Sequence, residues 1–216
     1  MIKSFCGIES AAHPVIFEEL FRLRHEIYVG RRKWGALRQD NGLERDAYDT
    51  ADAVYLLGFS PEGNITCGLR LLPTTGDHLF RDHFLHLAPA GLPQGADVYE
   101  LTRFFIATMR VPPQLRQRLI ATLGAALFEY CLSRGIEAII CVTDTFLIPT
   151  MQALHWRPRP LGLPTKYPEG TAVGVSIAIS ETTLERLRAT HAIDGPVLNE
   201  SLARTLTSAP IPAEMH

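Results

Sequence analysis

Apolar and polar positions recur along this chain with two different periods, and each change of period marks an element. Phe17, Leu20, Phe21, Arg24, Ile27 and Tyr28 fall at the three- and four-residue spacing of one helix face. They predict a helix that opens at Pro14, a residue suited to a first turn, and runs to about Gly30. Residues 31–50 are polar and charged with no period, and an unpatterned stretch of that length is more often functional than merely connecting. Residues 54–59 (VYLLGF) and 65–72 (ITCGLRLL) flank Ser60-Pro61-Glu62-Gly63-Asn64, which predicts two antiparallel strands joined by a turn. Alternation in the second sets Ile65, Cys67, Leu69 and Leu71 on one face and Arg70 on the other.

Further strands are predicted at residues 98–105 (VYELTRFF), 138–142 (AIICV) and 172–179 (AVGVSIAI), a long helix at 115–134, and a helical segment near 150–155. Thr182 and Glu185 have the spacing of a capping box for a closing helix, and residues 208–216, with two prolines, are expected to be loose. Strands paired early, then strand, helix and strand in turn, predict the α/β class: a mixed sheet covered by helices on both faces.

Composition narrows this. At 216 residues and 46% hydrophobic, the chain can bury one good core and is short for two domains, so residues 1–207 are expected to form one domain and 208–216 a loose tail. A formal charge of -2 gives no global pull toward nucleic acid or an anionic membrane surface, so any polyanionic partner must be met by a local basic patch, and nucleic acid is not expected as a partner. No stretch approaches the roughly 20 apolar residues of a membrane span, so the expectation is a soluble, unprocessed protein. Cys6, Cys67, Cys131 and Cys141 lie far apart with no Cys-x-x-Cys pair, which suggests neither a zinc knuckle nor a disulfide framework and fits a reducing cytoplasm.

Charge sits where a core would ordinarily be apolar. Arg24 stands in the middle of its helix stripe, and a guanidinium cannot lose its charge there; it needs carboxylates or an anionic ligand against it. Glu44, Asp46 and Asp49, with Glu100 further along, are the available acids. Together with Arg70 and Arg103 they make more buried-looking charge than stability asks for, as either a structural ion network or a functional site. Strand parity puts Glu100 and Thr102 on one face and Arg103 on the other, so either a bulge unites them or their roles are separate. Trp34 lies near the acids, where an aromatic face can hold a sulfonium or ammonium group; simple packing is the plainer reading. His78, His83 and His86 near Asp77 and Asp82 match no strong metal-site spacing, and no metal is expected. Met109 and Met151 read as core filler.

Taken in order, FRLRHEIYVGRRKW (21–34), LERDAYD (43–49), GLRLLPTTG (68–76), VYELTRFF (98–105) and WRPRPLGLP (156–164) resemble the LuxI-type N-acyl-homoserine-lactone synthases, which make quorum-sensing signals. The resemblance covers about residues 17–180. Arg24, Trp34, Asp46, Asp49, Arg70, Glu100 and Arg103 match the family's characteristic positions; Tyr28 stands where Phe is usual and Thr102 where Ser is usual.

The resemblance implies a fold similar to the GCN5-related acetyltransferases and a two-step reaction on S-adenosylmethionine, as substrate rather than prosthetic group. Its amine attacks an acyl thioester, and its carboxylate then displaces methylthioadenosine to close the lactone. On this reading Glu100 is the base, directly or through a water, and main-chain N–H groups near Arg103 to Phe105 receive the oxyanion. Arg24, Tyr28, Asp46, Asp49, Arg70, Thr102 and Phe105 position S-adenosylmethionine, and Trp34 closes over it. The acyl pocket would include Thr143, able to hydrogen-bond a 3-oxo group or else a satisfied strand hydroxyl, and Met151.

The family usually draws its acyl group from acyl carrier protein, an acidic partner for which Arg157, Arg159 and Lys166 form a docking patch. The segment 148–164, IPTMQALHW with PLGLP, looks more like a branch in which some members use CoA thioesters of branched or aryl acids. One alternative is an acetyl-CoA-dependent N-acetyltransferase of the same fold. Such an enzyme is expected to carry a Gly-rich pyrophosphate loop ahead of the long helix, and ATMRVPPQLRQRLIATLGAAL has none. A non-catalytic ligand-binding sensor is the other.

Overall fold

The computed structural model describes residues 1–199; the tail expected at 208–216 lies outside the described residues. Nine strands among them form one mixed sheet: β1 (Ile2–Cys6), β2 (Val54–Phe59), β3 (Ile65–Pro73), β4 (Val98–Ile106), β5 (Ala138–Asp144), β6 (Arg159–Pro160), β7 (Thr165–Tyr167), β8 (Gly170–Ala178) and β9 (Leu198–Asn199). The order across the sheet is β6-β8-β5-β4-β3-β2-β1-β9, with β7 also pairing β8. The β4/β5 and β1/β9 pairs are parallel and the rest antiparallel. The early hairpin forms as its pattern predicts, with Gly63 turning at φ 89 and Ser60 N–H bonded to Asn64 O at 2.9 Å.

The helices are α1 (Pro14–Arg24), α2 (Leu79–His83), α3 (Pro113–Ser133), α4 (Ile148–Ala153) and α5 (Glu181–His191). One face of the sheet packs Leu69, Leu71, Leu101 and Ile139 against the α3 side chains Leu123, Leu127 and Phe128, with Leu184 and Leu187 of α5 completing the layer. The other face carries Tyr55, Leu57, Leu72 and Phe105 beneath α1, and Val98 and Ile140 beneath Phe80 and Leu87. Helices therefore cover both faces, as expected.

Three local departures have physical causes. The first helix does not continue as an α-helix to Gly30: from His25 to Arg31 it widens into a π-helix, and Arg32 N–H reaches Ile27 O at 2.9 Å. The wider turn buries three consecutive side chains, Ile27, Tyr28 and Val29, which an α-helix would spread around its axis. Cys67, Leu69 and Leu71 face α3 as alternation predicts, but Ile65 joins the opposite cluster, next to a register shift between Gly58 and Phe59. The closing helix is capped by Ser180, whose Oγ accepts Thr183 N–H at 3.2 Å, so Thr182 and Glu185 lie inside the helix and form no box.

Two features of β4 set up the site. Its pairing with β5 covers only Val98 to Glu100, opposite Ala138 to Ile140, so beyond Glu100 the two strands part. On its other edge the register with β3 shifts between Gly68 and Arg70, opposite Phe105 and Thr102, which gives β4 one extra residue. Arg103 lies in this bulge with φ 52.

Candidate active site

The bulge resolves the parity conflict for Arg103. Thr102 Oγ1 accepts Arg70 Nε–H at 2.9 Å, and Arg103 swings to the same side, donating from Nη2 to Glu44 Oε1 at 2.7 Å and to Asp46 Oδ2 at 2.9 Å. Arg24 donates from Nε to Glu44 at 2.5 Å and from Nη1 and Nη2 to Asp49 at 2.8 and 3.1 Å. Arg70 reaches Asp46 Oδ1 at 2.6 Å and Asp49 Oδ1 at 2.7 Å. Three guanidiniums and three carboxylates thus interlock with no net charge. Asp49 also accepts the Tyr55 hydroxyl at 2.7 Å and its own loop's Asp46 N–H at 2.9 Å, which gives the unpatterned 31–50 segment a fixed path.

Burial and pairing oppose each other here, and pairing wins. Burial alone would raise the Glu44 carboxyl, but Arg103 and Arg24 hold it down at about 2. Against the same burial, Arg24 and Arg70 keep Asp49 well below the usual carboxylate range. Burial disfavours the charge on Arg24, and Asp49 with Glu44 more than restores it. Asp46 is the acid that still meets solvent, its side chain 18% exposed against 1% for Glu44 and 0% for Asp49.

Trp34, half-buried, stacks on Tyr28 with ring centroids 5.3 Å apart. The Arg32 guanidinium covers both rings, and Arg103 lies 5.4 Å from the Tyr28 ring centre. Tyr28 Oη donates to Phe104 O at 3.4 Å, tying the π-helix to the free edge of β4. These contacts show that the Trp34 and Tyr28 faces accept cations. Phe105 is buried below, its ring 3.0 Å from where a Cβ on Gly68 would stand.

Glu100 is not part of the ion network and does not meet Arg103. It is 1% exposed, and its two oxygens accept Phe80 N–H at 3.1 Å each, while Oε2 lies 3.0 Å from His78 Nδ1. The α2 segment is brought down onto the sheet by Gly174, where a Cβ would stand 2.4 Å from the Phe80 ring. His78 is fully buried, so of the three histidines weighed as metal ligands it acts as a carboxylate partner. No group of three or more His, Cys, Asp or Glu among the described residues is placed to hold a metal.

Beyond the parting of β4 and β5, Thr143 on β5 is buried, and Met151 on α4 packs into the core beneath α3. Arg157, Arg159 and Lys166 are exposed and form no ion pair among the described residues. Arg159 pairs with Ser176 and Lys166 with Thr171, which spaces them about 17 Å apart along the outer edge of β8. Two site residues carry more than their sequence signal. Glu44 was legible only as one of several acids, yet it bridges Arg24 and Arg103; His78 was legible only as a weak metal candidate. Among the described residues no helix is long and apolar enough to cross a membrane.

Residues 9–187 match the family described as autoinducer synthase. Among curated proteins, the isovaleryl-homoserine lactone synthase of Bradyrhizobium diazoefficiens is 33% identical over 189 residues, 87% of this chain and 84% of that one. Among solved structures, the CoA-dependent acyl-homoserine lactone synthase BjaI, with SAM and isopentyl-CoA, superposes with a TM-score of 0.84 at 30% identity, over 93% of this chain and 92% of that one. A Lactobacillus plantarum chain assigned as an N-acetyltransferase shares the fold alone, with a TM-score of 0.54 at 16% identity over 83% of this chain and 99% of that one.

Proposed function

Because the chain belongs to the autoinducer synthase family, we propose that it makes an N-acyl-L-homoserine lactone from S-adenosylmethionine and an acyl thioester. The amine nitrogen attacks the thioester carbonyl; the C–S bond breaks, the thiol leaves, and the amine gives up a proton. The methionyl carboxylate then attacks the carbon next to the sulfonium, that C–S bond breaks, and neutral methylthioadenosine departs as the ring closes. The reading takes residues 1–207 as one synthase domain.

The observation that carries this reading is the Arg24, Arg70 and Arg103 network with Glu44, Asp46 and Asp49, built beside the strand edge that β5 leaves open. A charge-balanced, multiply hydrogen-bonded wall orients a zwitterionic substrate without needing to rearrange. Asp46 faces solvent and is the acid we assign to the methionyl end; Tyr28 and Trp34, which already accept guanidinium cations, suit the sulfonium. Thr102 and Phe105 line the same side. Glu100, held by Phe80 N–H and His78, is assigned as the base toward the amine, directly or through one water. The Arg103 bulge turns main-chain N–H groups out of strand register, and the segment from Arg103 to Phe105 is assigned to the oxyanion.

We take the acyl donor to be a CoA thioester, as in the BjaI complex with isopentyl-CoA. Docking of an acyl carrier protein on the exposed Arg157, Arg159 and Lys166 is the alternative, and salt dependence separates the two. Mass spectrometry of lactones from an expressing culture tests the activity. An acyl-homoserine lactone absent from the control culture supports it, and acetylated amines without any lactone would favour the acetyltransferase alternative.

A further inference from the structure

Trp156 is 3% exposed, yet its indole Nε1–H has no hydrogen-bond partner among the described residues. A donor buried without an acceptor forfeits its hydration, so a side chain needed only to fill this space would be better as Phe or Leu. The backbone is also constrained around it. His155 at φ 61 and Arg157 at φ 48 flank the residue in the left-handed region, where non-glycine residues persist only when their surroundings over-determine them. On α3, Gly124 leaves room for the ring: a Cβ there would stand 3.1 Å from Trp156 Cζ2, on the N–H side of the indole.

The location of this donor points to its use. Phe104, on the part of β4 that has left β5, meets the indole edge-on at 6.1 Å between ring centres. Across the gap, Thr143 pairs with Val173, which packs in the same cluster as Trp156. The Trp156 N–H is thus a buried, unpaired donor in the apolar space under α3, on the side where a thioester threaded between β4 and β5 would send its chain.

We infer that the Trp156 N–H is a specificity-determining donor for the acyl chain, and that the preferred acyl group carries an oxygen acceptor: an oxo, hydroxyl or phenolic oxygen. This rests on the synthase reading and departs from the plain branched chains named for BjaI and the Bradyrhizobium protein. A plain alkyl chain leaves the donor unpaired in the complex, whereas an oxygenated one satisfies it; the expected difference is about tenfold.

The test uses the full chain with S-adenosylmethionine and length-matched CoA thioesters, hexanoyl against 3-oxohexanoyl and phenylpropanoyl against 4-hydroxyphenylpropanoyl, and follows methylthioadenosine release. In at least one pair the oxygenated donor is expected to have about tenfold higher kcat/KM. Trp156→Phe should lower that donor alone and bring the pair within about twofold. Equal use of both members in wild type, or a preference the variant leaves intact, would overturn the inference while the synthase reading stands. No release from any donor would refute the synthase reading and this inference with it. Should the variant not fold, the wild-type indole N–H resonance gives a second measurement, with Trp156 told from Trp34, the other of the chain's two tryptophans, by a Trp34→Phe sample. Non-hydrolysable thioether analogues of the oxygenated donors are expected to move the Trp156 resonance downfield, and equal shifts from the alkyl analogues would overturn the proposal.

Discussion

Replacing Arg24 by Met keeps the apolar stripe of α1 but removes one of three cations from a network with three carboxylates. Lost with it are the bonds to Glu44 at 2.5 Å and to Asp49 at 2.8 and 3.1 Å. The stranded acids are not left bare: Glu44 keeps Arg103 at 2.7 Å, and Asp49 keeps Arg70 and the Tyr55 hydroxyl, each at 2.7 Å. Breaking a buried ion pair from one side costs about 3–5 kcal/mol, and these surviving partners place the loss near the lower figure, about 3 kcal/mol. For a chain of this size each kcal/mol moves Tm by about 2–4 °C, so calorimetry is expected to show a fall of roughly 6–12 °C. The double variant Arg24→Met with Glu44→Gln restores the balance, two cations against two acids, and should recover at least half of it. A fall below about 2 °C would refute the claim that this charge is fixed by mutual pairing. Calorimetric titration of the folded variant with S-adenosylmethionine completes the test: weakened binding supports a ligand site, and unchanged affinity beside a large Tm loss identifies a purely structural network.

Glu100→Gln is expected to keep the fold and S-adenosylmethionine binding while losing most acylation, because an amide cannot take the amine's proton; near-normal turnover at saturating donor would remove Glu100 from the base role. Acid should destabilise the protein in a defined window. Glu44 is held at about 2 against an ordinary 4.5, and a depressed carboxylate stabilises the fold above its unfolded value and loses that contribution as pH falls through the folded one. Tm should therefore drop between about pH 4.5 and pH 2, with about 3 kcal/mol from Glu44 alone and Asp49 adding in the same direction, and a flat profile there would contradict the pairing. Changing Arg157, Arg159 and Lys166 together to Gln should leave CoA-thioester turnover intact across ionic strength; if a carrier protein is the donor, its advantage at low salt disappears in this variant instead.

Much of this architecture is legible in the sequence because periodicity reports burial. The α1 stripe, the hairpin, α3 and the strands at β4, β5 and β8 all announce themselves by spacing. Elements without a period do not. The two-residue β6 and β9 are too short to show alternation, and the five-residue Ile2–Cys6 has only that two-residue β9 as its outer neighbour. The π-turn after Arg24 leaves the stripe unchanged while altering which of Ile27, Tyr28 and Val29 turn inward. Charge in apolar positions marked Arg24 and Arg70, and only geometry could show that a bulge turns Arg103 toward them and leaves Glu100 with His78. The capping error is of the same kind: Ser180 and Thr182 both have cap chemistry, and where β8 ends decides between them.

The central claim is that this chain joins an acyl group to the methionyl amine and then closes the lactone. The most direct measurement is purified protein with S-adenosylmethionine and an acyl-CoA, following methylthioadenosine by chromatography and the acylated product by mass spectrometry. The account predicts methylthioadenosine and acyl-homoserine lactone in equal amounts, both lost together in Glu100→Gln. Thioester consumption without methylthioadenosine, or bound S-adenosylmethionine recovered unchanged, would contradict it.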